Sequence, residues 1–283
     1  MALFASTLVL TFVATVQTQD SLWNRPVVLP PDTTVVEVRQ GIEYKRTAGG
    51  PLRMDVYRPR RRPVSLPAVV FVHGGPLRAG WSRDIRLARP YTSYGRLVAS
   101  HGMVAVTFSH RLAEFMTVDS AALDVRDAMR YLVAHADTLG LDRNRICLWG
   151  ISRGGLVLSP AVQTLGARLR CLVLYYAIVE PPPTGDSVAS NPSPPSLTTF
   201  VGSGATFPAT FVVRAGRDEP RGNAGLDRFA LTAIRRGTNL DFLAYAEGMH
   251  YFDLLEDTAR ARQIIARTLE FIRWWTTNPG RRR

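Results

Sequence analysis

The feature that most constrains this chain is a series of short apolar runs with no polar interruption. Ala68 to Val72 in "PAVVFVHGG" is one, and "GMVAVTFSH", "RICLWG", "RCLVLYYAIV" and "TFVVRAG" follow along the chain. An alternating strand has one wet face, whereas a continuous apolar run marks a strand covered on both faces. Between the runs lie segments with helical periodicity. Buried strands alternating with helices predict an α/β fold, a mostly parallel central sheet with helices on both faces. With 283 residues, 46% of them hydrophobic, the chain has room for one such domain.

Local patterns refine this outline. "TVVEVRQGIEYKR" and "LRMDVY" read as two strands about the turn "TAGGP". In the second, Leu52, Met54 and Val56 alternate with Arg53, Asp55 and Tyr57, a half-buried antiparallel pattern. A helix is expected from about Ser120 to Asp137, with Asp119 as N-cap and Val125, Met129, Leu132, Val133 and Ala136 on its apolar face. Further helices are expected from Arg153, around Leu226 to Arg235, and from Leu254 to Trp275, with a strand at "LDFLAYAEG" before the last. One segment has no period. Glu180 to Phe207 is dense in Pro, Ser and Gly, and between two strands it reads as a reduced cap or lid, a passive insertion being the alternative.

The ends differ in character. "MALFASTLVLTFVATVQTQD" carries no charged side chain before Asp20, and residues 1–18 read as a secretory signal peptide. Its apolar part is too short and too rich in Thr for a membrane span, and none is expected elsewhere. Residues 19–278 form one domain, and 279–283 a basic tail. A cleaved leader makes the protein exported, periplasmic or secreted; otherwise it is membrane-tethered or cytoplasmic. The formal net charge is +12, and Lys45 is the only lysine. The arginines are scattered apart from Arg60–Arg62 and Arg281–Arg283, without interleaved aromatics, so no nucleic-acid partner is expected. Cys147 and Cys171 lack metal-ligand spacing and read as buried free thiols, with a disulfide open to them if their runs are neighbouring strands.

The chemistry gathers around "LWGISRGG". Ser152 lies where an apolar run gives way to a helix, and Gly150 and Gly154 supply the small flanks a sharp strand-to-helix turn requires. A serine hydroxyl is a poor nucleophile without a base in hydrogen-bond reach. Of five histidines, His101 and His135 read as surface or structural, and His73 as ordering a Gly-rich loop. His250, past the last predicted strand, is the expected base, with His110 as alternative. Asp218 in "VVRAGRDEP" is the expected acid; Glu219 is the adjacent fallback, and Asp253 and Glu247 are weaker candidates. A negative oxygen formed at Ser152 would meet backbone N–H donors of Gly74 and Gly75 in "HGGP" and of Arg153; Pro76 has none to offer.

These motifs, "HGGP" at 73–76, "GISRGG" at 150–155, "GRDE" at 216–219 and "GMHYF" at 248–252, resemble those of the α/β-hydrolase superfamily. Within it they are similar to small serine esterases of the hormone-sensitive-lipase-like and feruloyl-esterase-like (BD-FAE-type) groups. The resemblance implies the α/β-hydrolase fold, with Ser152 as nucleophile, Asp218 as acid, His250 as base and Gly74, Gly75 and Arg153 as oxyanion donors. It also implies a carboxylesterase acting on a small-molecule ester, with no cofactor and no metal. Trp81 and Phe200 are candidates for the substrate pocket, or equally for core or surface aromatics. Two letters depart from the lipase-like pattern: Pro76 replaces a third glycine, and Arg153 a small residue. "HGGP" also occurs in prolyl-oligopeptidase-like serine peptidases, which makes a peptidase acting on short peptides the second reading. A non-catalytic binding module on the same fold is the third.

Overall fold

The computed structural model describes residues 22–60, 65–75, 84–112, 118–181 and 195–278. The expected leader and tail, Trp81 and residues 182–194 of the expected cap lie outside these. Eight strands form one sheet: β1 (Val36–Thr47), β2 (Gly50–Pro59), β3 (Leu66–Val72), β4 (Val104–Phe108), β5 (Leu141–Ile151), β6 (Leu169–Tyr175), β7 (Ala209–Ala215) and β8 (Leu240–Tyr245). Their order is β1-β2-β4-β3-β5-β6-β7-β8. The β1–β2 and β2–β4 pairs are antiparallel, and every other pair is parallel.

Two cores flank the sheet, and successive strand residues feed them in turn. Val70, Val72, Leu148 and Leu172 face one, where α2 (Val118–Ala134), α4 (Ser159–Leu165), α5 (Leu197–Gly202) and α6 (Pro220–Arg235) pack. Val69, Phe71, Trp149 and Val173 face the other, closed by α1 (Arg89–Ser100) and α8 (Ala259–Thr277). This is why the runs are continuously apolar: the inner strands that carry them are covered on both sides. Among the described residues no helix is long and apolar enough to cross a membrane.

Several expectations change. Asp55 and Tyr57 were expected on a wet face, yet both are buried. Both faces of β2 are covered, Met54 and Val56 lying in one core and Tyr57 in the other. Asp55 pairs with Arg86 and accepts the N–H of Gly41 at 2.7 Å, where a bulge in β1 puts Gly41 at φ 72°. Tyr57 packs under α1, so closely that a methyl group on Gly95 would stand 2.5 Å from its ring.

The helix expected to end at Asp137 stops at Ala134; the short α3 (Ala136–Leu139) follows His135 and ends at Gly140 with φ 70°. Asp119 sits inside the first turn of α2 rather than at its cap. The last helix is two, α7 (Phe252–Leu255) and α8, with the Thr258 side chain accepting the N–H of Ala261 at 3.1 Å to cap α8. Glu180 to Phe207 includes α5, capped by Ser196, so this segment is partly regular. Cys147 and Cys171 are not free thiols: they stand opposite each other on β5 and β6, Cα atoms 4.7 Å apart, and form a disulfide.

Candidate active site

At the carboxyl end of β5 the chain turns sharply. Ser152 takes φ 54°, in the left-handed region that side chains usually avoid. Small neighbours make the turn possible. A methyl group on Gly154 would stand 2.3 Å from the Val72 carbonyl oxygen, and one on Gly150 2.7 Å from the Leu158 side chain. The helix expected from Arg153 begins as a 3-10 turn over Ser152–Val157, and α4 follows only from Ser159. The Ser152 carbonyl accepts the N–H of Ile178 at 2.9 Å, tying the turn to the segment after β6.

The loops after β7 and β8 bring the other two members. A methyl group on Gly216 would lie 2.1 Å from the Ala246 carbonyl oxygen, so the loops touch backbone to backbone. The Arg217 N–H donates to the Gly248 carbonyl at 2.9 Å, locking them together. From this joint, Asp218 Oδ2 lies 2.6 Å from His250 Nδ1, and His250 Nε2 lies 2.9 Å from Ser152 Oγ. The pattern assigns the tautomer: Nδ1–H donates to the carboxylate, leaving Nε2 to accept the serine hydroxyl. The other carboxylate oxygen accepts the Glu219 N–H at 2.7 Å. Ser152 is 3% exposed, while His250 retains partial access.

The alternatives fall elsewhere. Glu219 is exposed at the start of α6, and Glu247 pairs with Arg217. Asp253 is buried between two tyrosines. His101 and His135 are exposed at helix ends, each with Nδ1 on a backbone carbonyl. His110 stacks on His73 inside the protein.

"HGG" lies against the elbow. A methyl group on Gly74 would be 2.9 Å from Ser152 Cβ and 3.2 Å from the Arg153 nitrogen, an approach only glycine allows. His73 Nδ1–H donates to the Gly74 carbonyl at 2.7 Å, and Nε2 accepts the His110 N–H at 3.3 Å. Burial brings His73 down to about 4, so it is a neutral strut for this loop. Gly75 is buried beside Gly74. Phe200 packs 6.0 Å from Phe207, which sits 5.9 Å from Phe229 of α6. Among the described residues no group of three or more His, Cys, Asp or Glu could hold a metal ion.

Sequence reasoning missed two tyrosines here. The Tyr176 ring lies 4.5 Å from the His250 ring, and that of Tyr251 4.3 Å away and edge-on. Both have positive φ, 37° and 63°. Of the four non-glycine residues with positive φ among those described, Ser152, Tyr176 and Tyr251 meet at this site; only Ser65 lies elsewhere. Burial raises the Tyr251 phenol to about 12, an effect countered by the Ser152 side chain and the Arg153 charge. The Arg153 side chain thus bears on the site from a position itself only 8% exposed.

Residues 54–164 match the model of the BD-FAE family. An esterase from Pyrobaculum calidifontis superposes with a TM-score of 0.65 at 24% identity, covering 96% of this chain and 94% of its own. Brefeldin A esterase, a bacterial homologue of human hormone sensitive lipase, gives 0.71 at 16% identity, with 98% and 86% covered. This chain has the α/β-hydrolase fold. Over part of its length the chain is also similar to curated proteins. Esterase LipC of Mycobacterium tuberculosis is 31% identical over 47% of this chain and 33% of its own. Ethyl acetate hydrolase of Pseudomonas putida is 30% identical over 47% and 42%. The chain spans less than half the length of these curated relatives.

Proposed function

We propose that this protein is a serine carboxylesterase for small-molecule esters. The observation that carries the reading is the line Asp218–His250–Ser152, with contacts of 2.6 and 2.9 Å. Ser152 Oγ attacks the ester carbonyl carbon while His250 Nε2 takes its proton. Asp218 stabilises the imidazolium that results. The carbonyl oxygen becomes an oxyanion, met by the N–H groups of Gly74, Gly75 and Arg153. His250 then returns the proton to the departing alcohol oxygen, leaving an acyl group on Ser152. Water, deprotonated by His250, attacks that acyl group; the acid departs and Ser152 recovers its proton. The names of the similar proteins, an esterase and an ethyl acetate hydrolase, support esters with short acyl chains.

Residues 1–18 act as a leader and the protein works outside the cytoplasm; the Cys147–Cys171 disulfide supports an oxidising compartment.

The test is hydrolysis of p-nitrophenyl esters of graded chain length by the full chain and by Ser152→Ala. Turnover of the short esters, falling by about 10⁵–10⁶-fold in the variant, is expected. Equal turnover by both proteins excludes the reading. Cleavage of short peptide anilides in preference to esters would move the protein to the peptidases.

A further inference from the structure

Asp253 is a buried group beside the candidate site that the ester chemistry leaves without a task. Its carboxylate is wholly inaccessible, and an ionised carboxylate is expensive to bury unless it is well bonded. Two phenols bond to it. Tyr94 of α1 donates to Oδ2 at 2.5 Å, and Tyr176, just past β6, donates to Oδ1 at 2.6 Å. Burial holds both phenols well above their ordinary range, so each stays protonated as a donor. Burial likewise raises the Asp253 carboxyl, while the two phenols and the charge on His250 act against the rise. Stability alone does not ask for this cage, because an apolar side chain would fill the space with no desolvation cost.

Tyr176 is where the cage meets the chemistry. Its ring lies against the His250 imidazole with centroids 4.5 Å apart. Its backbone is held at φ 37° and donates its N–H to the Val213 carbonyl at 2.8 Å. A conformation of this kind persists only when its surroundings over-determine it. Facing His250 are Ser152 from the elbow, Asp218 after β7, Tyr176 after β6, and Tyr251 and Asp253 on its own segment, with the Arg153 charge acting on Tyr251. Asp253 is the carboxylate among them that makes no direct bond to the imidazole.

We propose that Asp253 is a positioning residue for His250, acting through Tyr176. By fixing the Tyr176 phenol it holds that ring against the imidazole, keeping His250 in line between Asp218 and Ser152. Its buried charge favours the imidazolium formed when Ser152 loses its proton. The inference rests on the serine-esterase reading of the same site.

The experiment compares pH profiles of p-nitrophenyl acetate hydrolysis by the full chain and by Asp253→Asn, Tyr176→Phe and Tyr94→Phe, with thermal unfolding of each. Removing a negative charge near the imidazole makes it lose its proton at lower pH. In Asp253→Asn the acid limb of kcat/KM therefore moves down by about one unit, and kcat falls about 10-fold with KM little changed. Tyr176→Phe lowers kcat in the same way. Tyr94→Phe, which also costs Asp253 a bond but does not touch His250, loses several-fold less activity at similar stability. An unmoved acid limb with wild-type kcat in folded Asp253→Asn overturns the proposal. Should that variant not fold, equal kcat losses in the two Tyr→Phe variants overturn it, and the expected inequality supports it. Fluorophosphonate labelling separates the two levels. A wild-type chain unlabelled at Ser152 removes the esterase reading and this inference with it; a labelled one with an unmoved Asp253→Asn profile removes only the positioning role.

Discussion

The ring of His73 lies flat on that of His110, centroids 3.6 Å apart and planes 9° from parallel. Burial lowers His73 to about 4 and holds His110 well below its ordinary value, so both stay neutral where an exposed histidine would be protonated. Between about pH 6.5 and 4 the unfolded chain binds more protons than the folded one, so stability falls as pH falls. It is complete above the unfolded value and lost by about pH 4. For His73 alone the loss is about 3 kcal/mol. The buried carboxyls Asp55 and Asp253 are raised and work in the opposite direction as they take up protons, so a variant isolates the histidine effect. Both ring nitrogens of His110 lack a hydrogen-bond partner among the described residues. His110→Phe should therefore keep wild-type stability at pH 7 and show a flatter loss towards pH 4.5 in urea unfolding. An unchanged pH slope would contradict the buried-neutral assignment.

Gly74 and Ser152 approach so closely that one methyl group separates a working elbow from a displaced one. At 2.9 Å from both the Ile151 carbonyl oxygen and Ser152 Cβ, the new carbon of Gly74→Ala must push the loop away. The expected result is a kcat loss of about 100-fold or more, as when an oxyanion donor is removed, with a smaller change in KM. Gly154→Ala, with its carbon 2.3 Å from a carbonyl oxygen of β3, should lower thermal stability as well. Wild-type kcat in Gly74→Ala would show that this loop plays no part in the reaction.

The bridge from Cys147 to Cys171 closes a stretch with a sequence separation of 24. A loop of that size stabilises the folded state by about 3 kcal/mol through the unfolded chain. Replacing both cysteines by Ala should lower the melting temperature, and Cys147–Cys171 should appear as one linked peptide in non-reducing digests. Two titratable thiols per chain in denaturant, without reductant, would be the contrary result.

Much of this architecture is legible in the residues, for physical reasons that also set the limit. The runs at Ala68–Val72 and "RCLVLYY" had to be doubly covered strands, because nothing in them tolerates water. Ser152 and Asp218 each follow such a strand and His250 follows the edge strand β8, so a shared sheet end gathers them whatever the loops do. Asp55 reads as a wet position because its burial depends on Arg86 and on the β1 bulge at Gly41, distant partners that no local pattern encodes. α1 was not anticipated because its buried face is built from Tyr91, Ser93, Tyr94 and Gly95 beside a few aliphatics. The cysteines needed the register of β5 on β6. Tyr176 and Tyr251 escaped because an aromatic beside a strand or helix end usually means core, and Asp253 reads only as a weaker candidate acid. The letters carry no sign for the positive φ that turns these tyrosines towards His250.

The central claim is that Ser152 is a nucleophile made reactive by His250. Its most direct test is fluorophosphonate labelling of the full chain, with the modified peptide read by mass spectrometry. The account predicts one adduct, on Ser152, and labelling slowed by more than about 10³-fold in His250→Ala. An adduct on another residue, or labelling of His250→Ala at the wild-type rate, would contradict it.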